Sequence, residues 1–165
     1  MAAEDLEQMN QYLTFKLDEE VFALEIAKVR EVLDFTDVTK VPQTPNFMRG
    51  VINLRGSVVP VVDMRIKFSM SEAEATVNTC IIIAEVIMDG EPSVLGALVD
   101  SVQEVLELDP DQIEPPPRIG TKLDTEFIRG MGKHNDDFII ILDINRVFSA
   151  DEISLIQQNS DAAEA

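Results

Sequence analysis

The sequence predicts a mainly β protein: two β-barrels or strongly curled sheets in tandem, with a groove or seam between them. Three observations carry the prediction. Short apolar, β-branched runs such as Val58-Val59-Pro60-Val61-Val62, Cys80-Ile81-Ile82-Ile83 and Phe138-Ile139-Ile140-Ile141-Leu142 are separated by polar turns. The same order of segments occurs twice. Each half is too small for a robust core of its own, so the two halves should pack together.

The chain in order justifies each element. Residues Met1 to Asn10 are polar and read as a loose tail. Tyr12 to Leu17 alternates with period two, Asp18-Glu19-Glu20 turns, and Val21-Phe22-Ala23-Leu24 returns, giving a hairpin. Ile26 to Val29 reads as one helical turn, followed by a strand through Leu33 and Phe35, because β-branched residues recur and no helix C-cap follows. Thr44 can cap a short helix that starts at Pro45 and runs to Gly50. A second hairpin, Gly50 to Met64, folds back at Asn53-Leu54-Arg55-Gly56. The polar link Ser71 to Thr76 is the best internal boundary.

Beyond it, Cys80–Ile87 and Ser93–Val99 form a third hairpin, and Val102–Leu108 a further strand. Pro115-Pro116-Pro117 stiffens a loop. Phe127 to Leu142 repeats the strand–turn–strand pattern, and Ser149-Ala150-Asp151-Glu152 is a capping box for a C-terminal helix. One unit over residues 10–158 therefore contains barrel one, about 12–70, and barrel two, about 77–148. Strand exchange between them stays open, and residues 1–9 and 159–165 are tails.

The repeat is specific. Val29-Arg30-Glu31-Val32-Leu33 recurs 73 residues on as Val102-Gln103-Glu104-Val105-Leu106. Phe47-Met48-Arg49-Gly50 recurs 80 residues on as Phe127-Ile128-Arg129-Gly130, as do Asp63 in Asp143 and Phe68 in Phe148. The change in spacing puts seven extra residues into the second connecting loop.

Composition excludes several functions. The formal charge is −18, which repels nucleic-acid phosphates and anionic membranes, and no basic cluster offsets it. A single cysteine, Cys80, excludes an intrachain disulfide framework and reads as a small core residue. The start of the chain lacks signal-peptide character and no apolar run is long enough to span a bilayer, so a soluble cytoplasmic protein is expected. The single histidine, His134, reads as a solvated loop residue, which leaves no nucleophile–base arrangement and no histidine-rich metal site. Gly130-Met131-Gly132-Lys133-His134 lacks two residues of a phosphate loop. Asp63 and Asp143 are read as backbone hydrogen-bond acceptors, with a small-molecule-binding or hydrolytic barrel that uses them as the alternative of a different class. No catalytic residue, cofactor or metal ligand is assigned.

The two copies of the central hairpin differ at the turn, where Asn53-Leu54-Arg55-Gly56 aligns with Lys133-His134-Asn135-Asp136. Asn53 and Gly56 tolerate positive φ and so have a conformational reading beside a contact reading. Leu54 and Arg55 have none, and an apolar residue beside an arginine on a projecting turn fits an interaction surface.

Several segments together resemble the chemotaxis coupling protein CheW family from about Tyr12 to Ile156. They are Phe15-Lys16-Leu17-Asp18-Glu19-Glu20, Lys28 to Leu33, Gly50 to Gly56, Val59 to Phe68, and Leu98 to Leu106. The resemblance implies two SH3-like five-stranded barrels that share a central hydrophobic seam, with short helical turns and a C-terminal helix. It implies a non-enzymatic cytoplasmic adaptor between the cytoplasmic hairpin tip of chemoreceptors and the regulatory domain of the histidine kinase CheA. Further copies of the adaptor in array rings, or a non-motility chemosensory pathway, are compatible with it. The partner-binding positions it implies are Val29, Glu31, Gly50, Asn53, Leu54, Arg55, Gly56, Val99, Val102 and Ile119.

Overall fold

The computed structural model describes residues 11–42, 45–88, 90–115 and 127–147. Among the described residues eleven strands follow one another: β1 (Gln11–Leu17), β2 (Glu20–Glu25), β3 (Val29–Asp34), β4 (Met48–Leu54), β5 (Ser57–Asp63), β6 (Cys80–Met88), β7 (Glu91–Val99), β8 (Ser101–Glu107), β9 (Ile113–Glu114), β10 (Ile128–His134) and β11 (Asp137–Leu142). Short 3₁₀ turns, Ile26–Lys28 and Pro110–Gln112, precede β3 and β9, and one helical turn, α1 (Met64–Lys67), follows β5. Ile26 to Leu33 is thus a turn followed by a strand.

The strands form two sheets, ordered β8-β1-β2-β11-β10-β9 and β3-β6-β7-β5-β4. Each sheet takes strands from both halves of the chain. Hairpin β1–β2 stands beside β8 and β11, while hairpin β6–β7 stands between β3 and β5. The junctions are parallel and equivalent: Ile141 pairs with Ala23 and Val61 with Gly96. This arrangement explains the unbroken apolar runs. On β6, Ile82 and Ala84 face a large cluster between the sheets, whereas Ile81 and Ile83 join a second cluster with Ile52, Val59, Val61 and Leu98. A strand buried on both faces cannot alternate polar and apolar residues. A third cluster, around Tyr12, Ala23, Leu108, Ile139 and Ile141, fills the other sheet in the same way.

The central cluster contains a ladder of four stacked rings, Phe15–Phe22, Phe22–Phe68 and Phe68–Phe127, with centroids 5.8, 5.6 and 5.2 Å apart. Both repeats contribute, so the ladder ties the halves through the middle of the core. Such offset stacks add about 0.5–1.5 kcal/mol per pair beyond the area they bury.

The helix expected from Pro45 is a turn at Asn46 and Phe47 followed directly by β4. Burial of Phe47 and Met48, and paired hydrogen bonds between Thr39 and Val51 (both 2.9 Å), outweigh the local capping signal, whose Thr44 lies outside the described residues. The second arm of that hairpin ends at Asp63, whose carboxylate caps α1 by accepting from the Arg65 and Ile66 backbone N–H groups at 3.0 and 3.4 Å. Cys80 is only half-buried, at the start of β6. The C-terminal helix, Phe148, and most of the proline loop with Ile119 lie outside the described residues.

Candidate functional site

The site begins with a turn. Leu54 pairs with Ser57, so the chain reverses over two residues, Arg55 at φ +50° and Gly56 at φ +88°. Positive φ at both central positions is the primed turn that matches the twist of a hairpin. The Asn53 carboxamide oxygen accepts from the Gly56 N–H at 2.8 Å, which fixes the turn from within. Leu54 is half-buried and packs on the cluster around Ile52 and Val59, so it has a packing role that its sequence position did not show.

The second copy of the hairpin reverses in the same way. His134 pairs with Asp137, and Asn135 and Asp136 take φ +51° and +67°. Turn geometry is therefore common to both copies and only the side chains differ. Asparagine suits a left-handed position; arginine does not, and holding it there costs on the order of 1 kcal/mol. Arg55 occupies a place where the backbone favours another residue.

Its side chain reaches β3. Arg55 Nη1 and Nη2 donate to Glu31 Oε1 and Oε2 at 3.1 and 2.8 Å, a bidentate fork. The hydrogen bond from Arg55 lowers the Glu31 carboxyl below its ordinary value, and the same contact raises the guanidinium. The Arg55 side chain remains 71% exposed, so the pair presents a held guanidinium to solvent rather than hiding it. Val32, next along β3, is also exposed, and Arg30 on the same strand pairs with Glu85.

Gly50 lies beneath this surface. It is buried at φ +143°, and a Cβ built there would stand 2.0 Å from the Thr39 carbonyl oxygen. It lets β4 approach the segment at Thr39 that completes this side of the fold. The structure thus gathers Glu31, Asn53, Leu54, Arg55 and Gly56 on one surface with Gly50 as its support. Val29 and Val102, 73 residues apart, are half-buried at the margin of the central cluster. Val99 is 1% exposed and sits inside that cluster. Ile119 lies outside the described residues.

Two exposed valines at equivalent positions, Val32 on β3 and Val105 on β8, were not among the expected contacts. The repeated Val-x-Glu-Val-Leu segment was the available signal, but residue type alone assigns a valine to a core. Arg65 was missed as well. It pairs with Asp100, whose Oδ2 also accepts from the Asp18 N–H at 2.7 Å, joining α1, the β1–β2 turn and the β7–β8 corner.

The carboxylates considered for catalysis are engaged locally. Asp63 is 3% exposed and caps α1, and Asp143 accepts from the Asn145 N–H at 3.1 Å. Each also donates its backbone N–H to the equivalent phenylalanine carbonyl, Asp63 to Phe47 at 2.6 Å and Asp143 to Phe127 at 3.0 Å. A cavity of about 610 Å³ opens between Phe35, Val38, Lys40, Met48, Arg49 and Ile66, and neither aspartate lines it. Among the described residues no group of three or more His, Cys, Asp or Glu could hold a metal ion. No helix among them is long and apolar enough to cross a membrane.

Residues 11–152 match the CheW-like domain. The chain belongs to the CheW-like family. Its CheW-like sequence is 35% identical to the chemotaxis protein CheW of Klebsiella aerogenes over 146 residues, 88% of this chain and 86% of that protein. It is 31% identical to the CheW of Treponema pallidum over 143 residues, 87% of this chain and 84% of that one. Its CheW-like fold is similar to the crystal structure of the scaffolding protein TtCheW from Thermoanaerobacter tengcongensis. The TM-score is 0.78 and the identity 37%, covering 87% of this chain and 94% of that one. The two-barrel, mainly β architecture is thus that of a CheW scaffold.

Proposed function

We propose that this chain is a non-enzymatic cytoplasmic adaptor that couples the cytoplasmic hairpin tip of chemoreceptors to the regulatory domain of the histidine kinase CheA. The observation that carries the reading is the Arg55–Glu31 fork on a conformationally unfavourable turn residue of a CheW-like chain. A side chain kept at a cost to the backbone, and left largely exposed, suits a contact with another protein. Val29 and Val102 at the margin of the central cluster suit an amphipathic helical hairpin laid along the seam. Val99 and Gly50 support these surfaces from beneath, and Ile119 is the remaining proposed contact. Two separate contacts on a small body let the adaptor join its partners, and an array multiplies contacts that are weak one at a time.

The test is direct binding of the folded protein to a receptor cytoplasmic fragment and to the CheA regulatory domain. Arg55→Ala should weaken one of these by about 1–3 kcal/mol with little change in melting temperature. Binding to neither partner would remove the adaptor reading. Loss of stability in proportion to binding would make Arg55 structural.

A further inference from the structure

The repeated segment Val-x-Glu-Val-Leu lies at the outer edge of each sheet, on β3 and on β8. Its two valines are three residues apart, which on a regular strand puts them on opposite faces. The structure puts them on the same face. Val29 lies opposite Ala84 and Val32 opposite Ile82, while Val102 lies opposite Phe15 and Val105 opposite Leu13. All four facing residues belong to the central cluster. Each edge strand achieves this with a bulge. On β8, Gln103 and Glu104 together stand against Thr14; on β3, Arg30 is the extra residue before Glu31, which lies opposite Ile83.

A bulge takes backbone groups out of the ladder, and the two copies hold theirs by different means. In the second repeat the buried Thr14 hydroxyl donates to the Glu104 carbonyl oxygen at 2.8 Å and accepts from the Glu104 N–H at 3.0 Å. One hydroxyl thus serves both backbone groups of the bulged residue. At the matching position of the first repeat stands Ile83, which carries no such group, and there Arg55 grips the Glu31 side chain. Thr14 is otherwise out of place. Its neighbours Leu13 and Phe15 and its cross-strand partner Ala23 are buried and apolar, and a valine would fill the same volume. We infer that Thr14 is a positioning residue: its hydroxyl holds the β8 bulge, and the bulge turns Val105 onto the face that carries Val102. Without that hold the strand has an alternative, a one-residue slip that sends Val105 to the opposite face. The inference rests on the adaptor reading, because this face is the one proposed to receive the helical hairpin.

The experiment compares three variants of the full chain. Thr14→Val removes the hydroxyl at constant volume, and Thr14→Ser keeps it. Thr14→Val with Gln103 deleted removes the extra residue, so that a regular ladder aligns the two valines without the hydroxyl. Amide hydrogen exchange at Glu104 and affinity for the receptor cytoplasmic fragment are read in each, with the CheA regulatory domain as control. In Thr14→Val the Glu104 amide should exchange about tenfold faster and receptor affinity should fall about fivefold, with kinase-domain affinity unchanged. Thr14→Ser should match the wild type in all three. The deletion variant should regain receptor affinity, which a mere loss of stability would not allow. Unchanged Glu104 exchange or receptor affinity in Thr14→Val, equal losses in Thr14→Ser, a parallel loss of kinase-domain binding, or a folded deletion variant that stays weak would overturn the role of Thr14 while the adaptor reading stands. Failure of the wild-type chain to bind either protein, with Glu104 exchange still governed by the hydroxyl, would instead remove the adaptor reading.

Discussion

Gly50 has no tolerable substitute. Its φ of +143° lies in the region open to glycine, and a Cβ would overlap the Thr39 carbonyl. Backbone does not yield as a flexible side chain does, so Gly50→Ala should cost on the order of 3 kcal/mol or more, read from the denaturant midpoint. Asp63 offers a finer test. Burial raises its carboxyl above the usual range despite the opposing help of the Ile66 and Arg65 N–H groups and Arg49. A raised value means the folded state holds the proton more tightly than the unfolded one. The contribution to stability is full below the ordinary value of 3.8 and is lost as pH rises through the folded value. Asp63→Asn keeps a cap of equal rank without the buried charge. It should leave the melting temperature at pH 7 equal or higher and flatten its decline above pH 4. Asp63→Ala should lose about 1 kcal/mol through the missing cap.

Among the elements, the β4–β5 hairpin separates stability from binding. Arg55→Asn places a favoured residue at φ +50° and gives up only an exposed ion pair. Thermal stability should hold or rise while partner affinity falls, opposite directions that a purely structural arginine would not give. Much of this element was legible in the sequence. The hairpin, its turn and the contrast with Lys133-His134-Asn135-Asp136 follow from residue types and spacing. The ion pair was not legible, because Glu31 and Arg55 meet only when β3 and the turn are brought together by sheets that the β6–β7 hairpin completes. The false helix at Pro45 has a similar origin. Local capping residues suggested it, and long-range pairing of Val51 with Thr39 replaced it.

At the scale of the molecule, the repeat predicted two curled sheets but not which strands each would use. Residue patterns reveal that a strand is buried on both faces, as in Cys80 to Ala84, without naming its neighbours. In the structure β3, β4 and β5 have no continuous sheet until β6 and β7 lie between β3 and β5. A fragment of residues 11–70 should therefore be unfolded by circular dichroism. Mixing it with residues 71–147 should restore β signal at a stoichiometry of about one to one if the interleaved pairing supplies most of the stability.

That interleaving also sets an order of events during synthesis. Hairpin β1–β2 leaves the ribosome before the other described strands, carrying Phe15, Leu17, Phe22 and Leu24, all destined for the central cluster. Its flanking strands β8 and β11 follow only some 80 to 115 residues later, a delay on the order of 5–20 s at ordinary rates of translation. During that interval the nascent hairpin has open edges and an uncovered aromatic face, a state in which a second nascent chain on the same messenger could pair with it. Production as closely spaced polysomes, rather than the finished fold, is where this architecture is most exposed to misassembly.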